Sequence, residues 1–439
     1  RCGVWGRTSV RRVSEAAVWG LGTNVSSSCK RSGGLGFGKS EKWDVVTPKG
    51  YYRSMPNKSA HTITAVANGG HGICRIEGQV CFVPYALPGD VVTVTITRKT
   101  KGVLWGKIDQ LIEPGPDRTT PSCTCFEKCG GCAWLHFAYP AQMEWKQRIV
   151  RDCLERMAGI EADIGWAEDA SLRVGYRTRA EFHLDKGRVG FYEPSSHNIV
   201  DIERCPLCHE NLNAALQRLR TLKPRDTAIE IVVNPEGPEV MLWTQHPQPK
   251  LEPHFTAVNW PSRRKFPSQF MFDGTPIVNG AFSQSSLLLN RVLKNVVHTA
   301  LGTPASLLDL YCGNGNFSLT LPESTSVLGL DHAAPAVHAA SQLRPKAYRV
   351  GDERTFMEAL AQDWDAIVLD PPRLGAKPIA EALGKAKTNK IVYVSCDPAT
   401  LARDLKVIAA QGWTVNKVTA VDIFPNTPHI ETVCCLTRV

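Results

Sequence analysis

The stretch "SLLDLYCGNGNFSL", residues 306–319, decides the fold. Residues 306–311 are an apolar run that reads as a buried strand, and the glycines at 313 and 315 turn the chain sharply after it. The turn alone is a weak signal. It lacks the third glycine of a dinucleotide fingerprint and the lysine of a phosphate loop. Its surroundings strengthen it. "SVLGLDH" predicts a second strand ending at Asp331, "AYRVGD" a third ending at Asp352, and "AIVLDPPRLGA" a fourth ending at Asp370. "IVYVSCDPATLARDL", residues 391–405, predicts a fifth, with Cys396 at its end and a helix straight after. Asp397 can cap that helix and Pro398 suits its first turn. A final pair, "WTVNKVTAVDIFP" and "HIETVCCLTRV", predicts an antiparallel hairpin. The sum is an open, mostly parallel α/β sheet, whose ligands bind beyond the carboxyl ends of the strands. An acid after the second strand suits a ribose diol, and a plain strand-end cap is the bland reading of Asp331 and Asp352.

A chain of 439 residues predicts two or three domains. Its 51 Lys and Arg against 42 Asp and Glu leave a net charge of +9, which favours an anionic partner such as nucleic acid. No apolar run approaches the length of a membrane span. Fifteen cysteines, an odd and clustered set, argue against a secreted disulfide framework and for a metal site in a reducing compartment, the cytoplasm. Residues 1–40 hold seven basic side chains and one acidic one with no clear period. Residues 1–54 therefore read as a disordered leader, either a transit peptide or an over-extended start ahead of Met55.

From residue 59 the pattern changes to short alternating strands with glycine punctuation, the mark of a small β-barrel. Its hairpin "VTVTITRKTKGVLWGKI" carries Arg98, Lys99, Lys101 and Lys107, a basic edge that suits a nucleic-acid backbone or is simply solvated. "PSCTCFEKCGGCAWLHF" then sets Cys123, Cys129 and Cys132 at C-x5-C-x2-C, and "DIERCPLCHE" adds Cys205 and Cys208. Three clustered thiols and a remote fourth suit an iron–sulfur cluster, with tetrahedral zinc as the rival and Cys125 and Cys208 as confusing neighbours. Between them, Tyr176, Arg177, Arg179, His183 and Arg188 interleave aromatic and basic side chains, either for unpaired RNA bases or as the outer face of an amphipathic sheet.

A lone cysteine is most often core, as Cys312, Cys434 and Cys435 are expected to be. Cys396 differs because it lies on the ligand rim beside Asp370. Here the chain resembles the S-adenosylmethionine-dependent RNA uracil-C5-methyltransferases of the iron–sulfur type, from about residue 59 to 439. The likeness rests on "GGHGICRIEGQVCFVPYALPGD", C-x5-C-G-G-C-x3-H ending at His136, "AFSQ", "DLYCGNGNF", "DPPRLG", "YVSCDPATLARD" and "PHIETVCCLTR", in that order. The resemblance implies a Rossmann-like methyltransferase sheet over residues 276–439, a TRAM barrel over 55–115 and a central α+β iron–sulfur domain over 116–275. It places the ligands of a [4Fe–4S] cluster on Cys123, Cys129, Cys132 and Cys205. Cofactor contacts fall on Gln284, Tyr311, Asn316, Asp331, Asp352 and Asp370. Cys396 is the implied nucleophile and Glu431 the implied base. Three positions depart from the family's habit: Ser286 stands where an Asn is frequent, Asp397 where the motif commonly has Asn, and Asp331 where Glu is frequent.

The chemistry explains a thiol at the strand's end. Carbon 5 of uracil is a poor nucleophile until a thiolate adds at carbon 6, and a base must then take the carbon-5 proton. Near a helix N-terminus the Cys396 thiolate is expected to be favoured. The expected partner is RNA, ribosomal rather than transfer RNA, bound by a monomer away from membranes. A methyltransferase for cytosine or an exocyclic amine, and a non-catalytic RNA-binding protein, are the alternatives. The first wants a Pro-Cys or an aromatic after Asp-Pro-Pro, and the second predicts loss of Cys396 or Glu431. Neither feature is in the sequence.

Overall fold

The structure, a computed structural model, describes residues 55–100, 102–263 and 268–438. The leader at 1–54 and Lys101 lie outside them. The first layer is a six-stranded sheet of β1 (Met55–Thr62), β2 (Ala65–Val66), β3 (Gly72–Ile76), β4 (Gln79–Val83), β5 (Val91–Thr100) and β6 (Val103–Glu113), in the order β1-β5-β6-β4-β3-β2. Its inward side chains, Ile63, Cys74, Cys81, Val83, Val92 and Val94, form their own core. Alternate residues of β3 and β5 face inward, as the period-two pattern predicts.

The chain continues through α1 (Tyr139–Cys153) and β7 (Ile164–Ala167). It then builds a second sheet of β8 (Arg179–Asp185), β9 (Arg188–Tyr192) and β10 (Ile199–Asp201), followed by α2 (Glu210–Leu222), β11 (Ala228–Val233), β12 (Val240–Thr244) and β13 (Ala257–Asn259). A small hairpin of β14 (Gln269–Phe272) and β15 (Thr275–Val278) leads into α3 (Leu287–Leu301).

The last sheet uses β16 (Ser306–Leu310), β17 (Ser326–Asp331), α4 (Ala334–Leu343), β18 (Tyr348–Val350), α5 (Glu353–Leu360), β19 (Ala366–Leu369), α6 (Ala380–Lys385), β20 (Lys390–Ser395), α7 (Pro398–Ala409), β21 (Trp413–Val421) and β22 (Glu431–Arg438). Its order is β18-β17-β16-β19-β20-β22-β21-β7, parallel except for β22, which is antiparallel to both neighbours. Helices cover both faces because the strands alternate. Ile391 and Tyr393 of β20 pack in one core with Leu401, Leu405 and Ile408 of α7. Val392 and Val394 pack in the other with Leu289, Leu293 and Val297 of α3.

Two features were not readable from periodicity. Residues 139–167, grouped by sequence with the central cysteines, belong to the C-terminal sheet. There β7 pairs with β21, and α1 contributes Trp145, Ile149 and Val150 to the core with α7. Tyr176, for which the sequence left open a base-stacking role or a place in an amphipathic sheet, is fully buried, and its hydroxyl donates to the Pro425 carbonyl at 2.9 Å. Its apolar ring decided its fate and its one polar atom found an internal partner. Of the neighbouring arginines, Arg179 pairs with Glu230 at 2.7 Å and Arg188 with Asp185 at 3.2 Å, as an amphipathic outer face would.

No helix among the described residues is long and apolar enough to cross a membrane.

The barrel is tied to the linker behind it by Asp90, which is wholly buried. It accepts from the backbone N–H of Leu87 at 2.7 Å and of Gly115 at 2.8 Å, and from the Arg118 guanidinium. Burial works against its ionisation, but Arg118 and the two N–H groups win, and the carboxyl sits below its ordinary range. Asp90→Ala leaves those donors buried and unpaired, which costs about 3 kcal/mol. It should lower the urea midpoint of the transition that reports the barrel. Because the folded pKa is depressed, this contribution is present above about pH 4 and is lost as pH falls further. A variant as stable as the parent at neutral pH would show that the tie is idle.

Candidate active site

The carboxyl ends of β16, β17, β19 and β20 converge on one rim. After β16 the chain takes Tyr311 through a left-handed conformation (φ 58°), as it does Gly313 and Gly315. Such strain in a tyrosine is uncommon and marks a turn held by its surroundings. Asp331 provides part of that hold. One carboxylate oxygen accepts from the Gly313 N–H at 2.9 Å, the other from the Ala333 N–H at 2.7 Å. It braces the glycine turn. Asp352 caps α5, accepting from Thr355 through N–H and hydroxyl, both at 3.0 Å. Asn316 exchanges carboxamide hydrogen bonds with Asn290, at 2.8 and 3.2 Å. Gln284 is buried on the segment that enters α3. Ser286 is the N-cap of that helix, accepting from the Leu289 N–H at 3.0 Å. The hydroxyl therefore performs a local task open to an asparagine as well.

Cys396 follows β20 directly. The β20–β22 ladder pairs Ser395 with Thr432, and continuing that register by one residue brings Cys396 opposite Glu431. Cys396 feels the charge of Glu431, and both feel Asp370 and Arg373. Burial foremost, then Glu431 and Asp370, push the Cys396 thiol up to about 12, with Arg373 pulling the other way. This corrects the expectation of a favoured thiolate. The helix N-terminus that would stabilise it is already occupied, because Asp397 accepts from the Ala399 and Thr400 N–H groups at 2.9 and 3.1 Å. Glu431 is buried, and its carboxyl is held well above the usual range by burial and by Asp370. Asp370 is itself raised to about 7, by burial and by Asp331. The site is thus a recess of acids crowded with one arginine, short of water and rich in groups ready to hold a proton.

Two residues of this region escaped the sequence reading. Asp309 is buried and pushed up to about 7, with one oxygen bonded to the Ser318 hydroxyl at 2.5 Å and the other without a partner. An aspartate inside an apolar strand run was the available signal. His429 lies two residues before Glu431, and burial, then Arg373, Lys146 and Arg177, lower it to about 3, so its imidazole is neutral.

Cys123, Cys132 and Cys205 pack against the core that holds Val392 and Val394 of β20. Cys129 is pushed up to about 12 by burial, and the charges of Cys205, Cys123 and Cys125 also bear on it. Cys132 is raised by burial and likewise by Cys129, Cys205 and Cys123. The Cys205 sulfur also shares a hydrogen bond with Cys208. No group of three or more His, Cys, Asp or Glu that could hold a metal ion is found among the described residues. On the barrel, the Arg98 guanidinium stands 4.9 Å from the centre of the Trp105 ring, which also touches Phe82 and His71. That is a basic and aromatic patch of the kind that binds single-stranded RNA.

Known proteins resemble this chain in sequence and fold. The family model for tRNA (uracil-5-)-methyltransferase matches residues 274–347 and 357–439, and the TRAM domain model matches residues 62–108. The 23S rRNA (uracil(1939)-C(5))-methyltransferase of Pectobacterium carotovorum is 30% identical over 428 residues, 86% of this chain and 94% of its own. The chain belongs to the tRNA (uracil-5-)-methyltransferase family. An uncharacterized RNA methyltransferase of Gloeobacter violaceus is 31% identical over 442 residues, 86% of this chain and 95% of its own. The fold matches the crystal structure of Pyrococcus abyssi tRNA (uracil-54, C5)-methyltransferase in complex with S-adenosyl-L-homocysteine. The TM-score is 0.68 at 24% identity, covering 86% of this chain and 99% of that one. As a member, the chain is an S-adenosylmethionine-dependent enzyme that methylates carbon 5 of uracil in RNA.

A thiol raised to about 12 is protonated in the RNA-free enzyme at neutral pH. Alkylation of the peptide carrying Cys396 by iodoacetamide should rise about tenfold per pH unit above neutrality. Mass spectrometry of that peptide measures it. A rate already flat at pH 7 would mean that the thiolate is present without RNA.

Proposed function

We propose that Cys396 and Glu431 divide the reaction between them, on a uridine of ribosomal RNA. The observation that carries this reading is the strand register that sets the two groups opposite each other at the end of the sheet. The target base must leave its stack to enter the recess. Cys396 gives its proton to water and, as the thiolate, adds to carbon 6, and the electron pair moves to carbon 5. S-adenosylmethionine supplies the electrophilic methyl group that carbon 5 takes. Glu431 then accepts the carbon-5 proton, the ring double bond re-forms and the bond from sulfur to carbon 6 breaks. Glu431 takes that proton only as the carboxylate, and in that form a carboxyl raised by its surroundings is a better acceptor than an exposed one. Arg373 is the cation that favours the thiolate at the start. Gln284, Tyr311, Asn316, Asp331 and Asp352 are assigned to the cofactor, and Asp370, between it and the thiol, to both sides.

The choice of ribosomal RNA rests on the barrel and on the Pectobacterium relative. A transfer RNA is the second reading, favoured by the Pyrococcus fold match. The same reading gives residues 55–115 to RNA, 116–275 apart from 139–167 to RNA and a cluster, and 276–439 together with 139–167 to catalysis. For the cluster, the donors support iron and sulfur. Four thiols, Cys123, Cys129, Cys132 and Cys205, bear on one another's charge, yet no three of them meet around a single ion. The sequence spacing, three clustered thiols at C-x5-C-x2-C and a remote fourth, is what supports a cluster over one tetrahedral zinc. Those four cysteines would hold it. The chemistry it supplies there is to cross-link remote segments, and no step above passes through it.

Two experiments test this reading. Cys396→Ala should form neither product nor adduct. Glu431→Gln should add to uracil, take up the methyl group and stall, leaving a methylated protein–RNA adduct on a denaturing gel while turnover falls by about 10²–10⁴. Near-normal turnover by Glu431→Gln, or methylation by Cys396→Ala, would overturn the assignment. Separately, protein purified without oxygen should be brown and carry about four irons per chain. Cys205→Ser should bleach it and Cys125→Ser should not. Stoichiometric zinc in colourless protein would reverse the choice of metal.

A further inference from the structure

The loop between β21 and β22, residues 422–430, delivers Glu431 to the rim. Its backbone and side chains are held mainly by residues far away in sequence. The Lys146 ammonium donates to Asp422 at 2.7 Å and to the Phe424 carbonyl at 3.1 Å. The Tyr139 hydroxyl donates to the other Asp422 oxygen at 2.6 Å. Gln142 meets Asn426 twice. Its carboxamide oxygen accepts the Asn426 N–H at 3.0 Å, and its amide donates to the Asn426 side-chain oxygen at 3.1 Å. The Asn426 amide in turn donates to the Arg173 carbonyl at 2.7 Å, and the backbone N–H of Trp134 donates to the Asn426 carbonyl at 3.1 Å. Asn426 itself sits in the left-handed region, φ 63°.

Tyr139, Gln142 and Lys146 fall at helical spacing on one face of α1. Gln142 and Lys146 are 1% and 0% exposed. Stability alone is a weak reason for them. A buried ion pair such as Lys146–Asp422 gains little over apolar residues of the same volume, and a buried amide must match every partner. What such groups supply is one fixed geometry. The loop they fix has Glu431 at its end, one residue past Ile430.

We infer that Gln142 and Asn426 form a clamp that positions Glu431 for proton removal. They are positioning residues: neither touches the thiol or the cofactor turn. The inference rests on the reading of Glu431 as the base. It goes further by assigning the accuracy of the base to α1, outside the parallel strands that carry the cofactor.

The test separates the two halves of the reaction. On RNA containing 5-fluorouridine, carbon 5 carries fluorine instead of the proton, so the enzyme adds and methylates but cannot eliminate, whatever its base does. RNA from cells grown on 5-fluorouracil supplies every candidate target, and RNA from a deletion strain supplies the uridine form. Gln142→Met keeps the volume and removes the hydrogen bonds. It should lower turnover on uridine RNA about 10- to 100-fold, the effect of misplacing a reacting group by about 1 Å. Adduct formation on fluorinated RNA should stay within about twofold of the parent. A methylated adduct should accumulate on uridine RNA. Asn426→Gly tolerates the left-handed backbone and should behave the same way, which keeps the test open if Gln142→Met folds poorly. Equal losses on both RNAs, or unchanged turnover, would overturn the clamp. Glu431→Gln run beside them separates the two claims. Normal turnover there would overturn the base itself. A stall there, with no split in Gln142→Met or Asn426→Gly, would overturn the clamp alone.

Discussion

The structure depends on one strand running against the rest. β22 enters the sheet antiparallel between β20 and β21, so its first residue lies beside the carboxyl end of β20. In a fully parallel sheet, every group at that rim would come from a strand's end or the loop after it. Reversing one strand lets a strand's beginning reach the same place, and that is how Glu431 meets Cys396. The register then decides the pairing. A slip of one residue would turn Glu431 to the opposite face of the sheet.

The electrostatics of the rim follow from this crowding. Asp331, Asp370, Glu431 and Cys396 come from four different elements: Asp331 bears on Asp370, Asp370 on Glu431 and Cys396, and Glu431 on Cys396, with Arg373 opposing at Cys396 and Glu431. A site in which few of these groups can ionise together is set to exchange protons during the reaction. The neutral His429 belongs to the same balance, since three cations and burial keep a proton off it.

Much of the C-terminal sheet was legible because its strands are short apolar runs closed by an acid or a glycine turn, and those signals are local. Cys396 stood out because a thiol after a buried run, followed by Asp-Pro, can lie only at a strand-to-helix junction. The parts that were not legible depend on distant contacts. Nothing in "IGWA" at 164–167 announces a strand of the last sheet, and its partner β21 lies some 250 residues away. The protonation of Cys396 depends on Glu431 and Asp370, which no local pattern connects to it. Gln142 and Lys146 read as ordinary polar positions of an amphipathic helix, and only the loop across from them gives them a role. The central thiols were legible as a group, and their spacing alone left their metal open.

One contact links the barrel to this rim. The Trp134 indole donates to the Gly70 carbonyl at 3.2 Å, and a Cβ at Gly70 would lie 2.5 Å from Pro428, in the loop before Glu431. The barrel is therefore seated against the catalytic loop and is not a bead on a tether. A shift of the barrel against Pro428 would thus press on the chain three residues before Glu431.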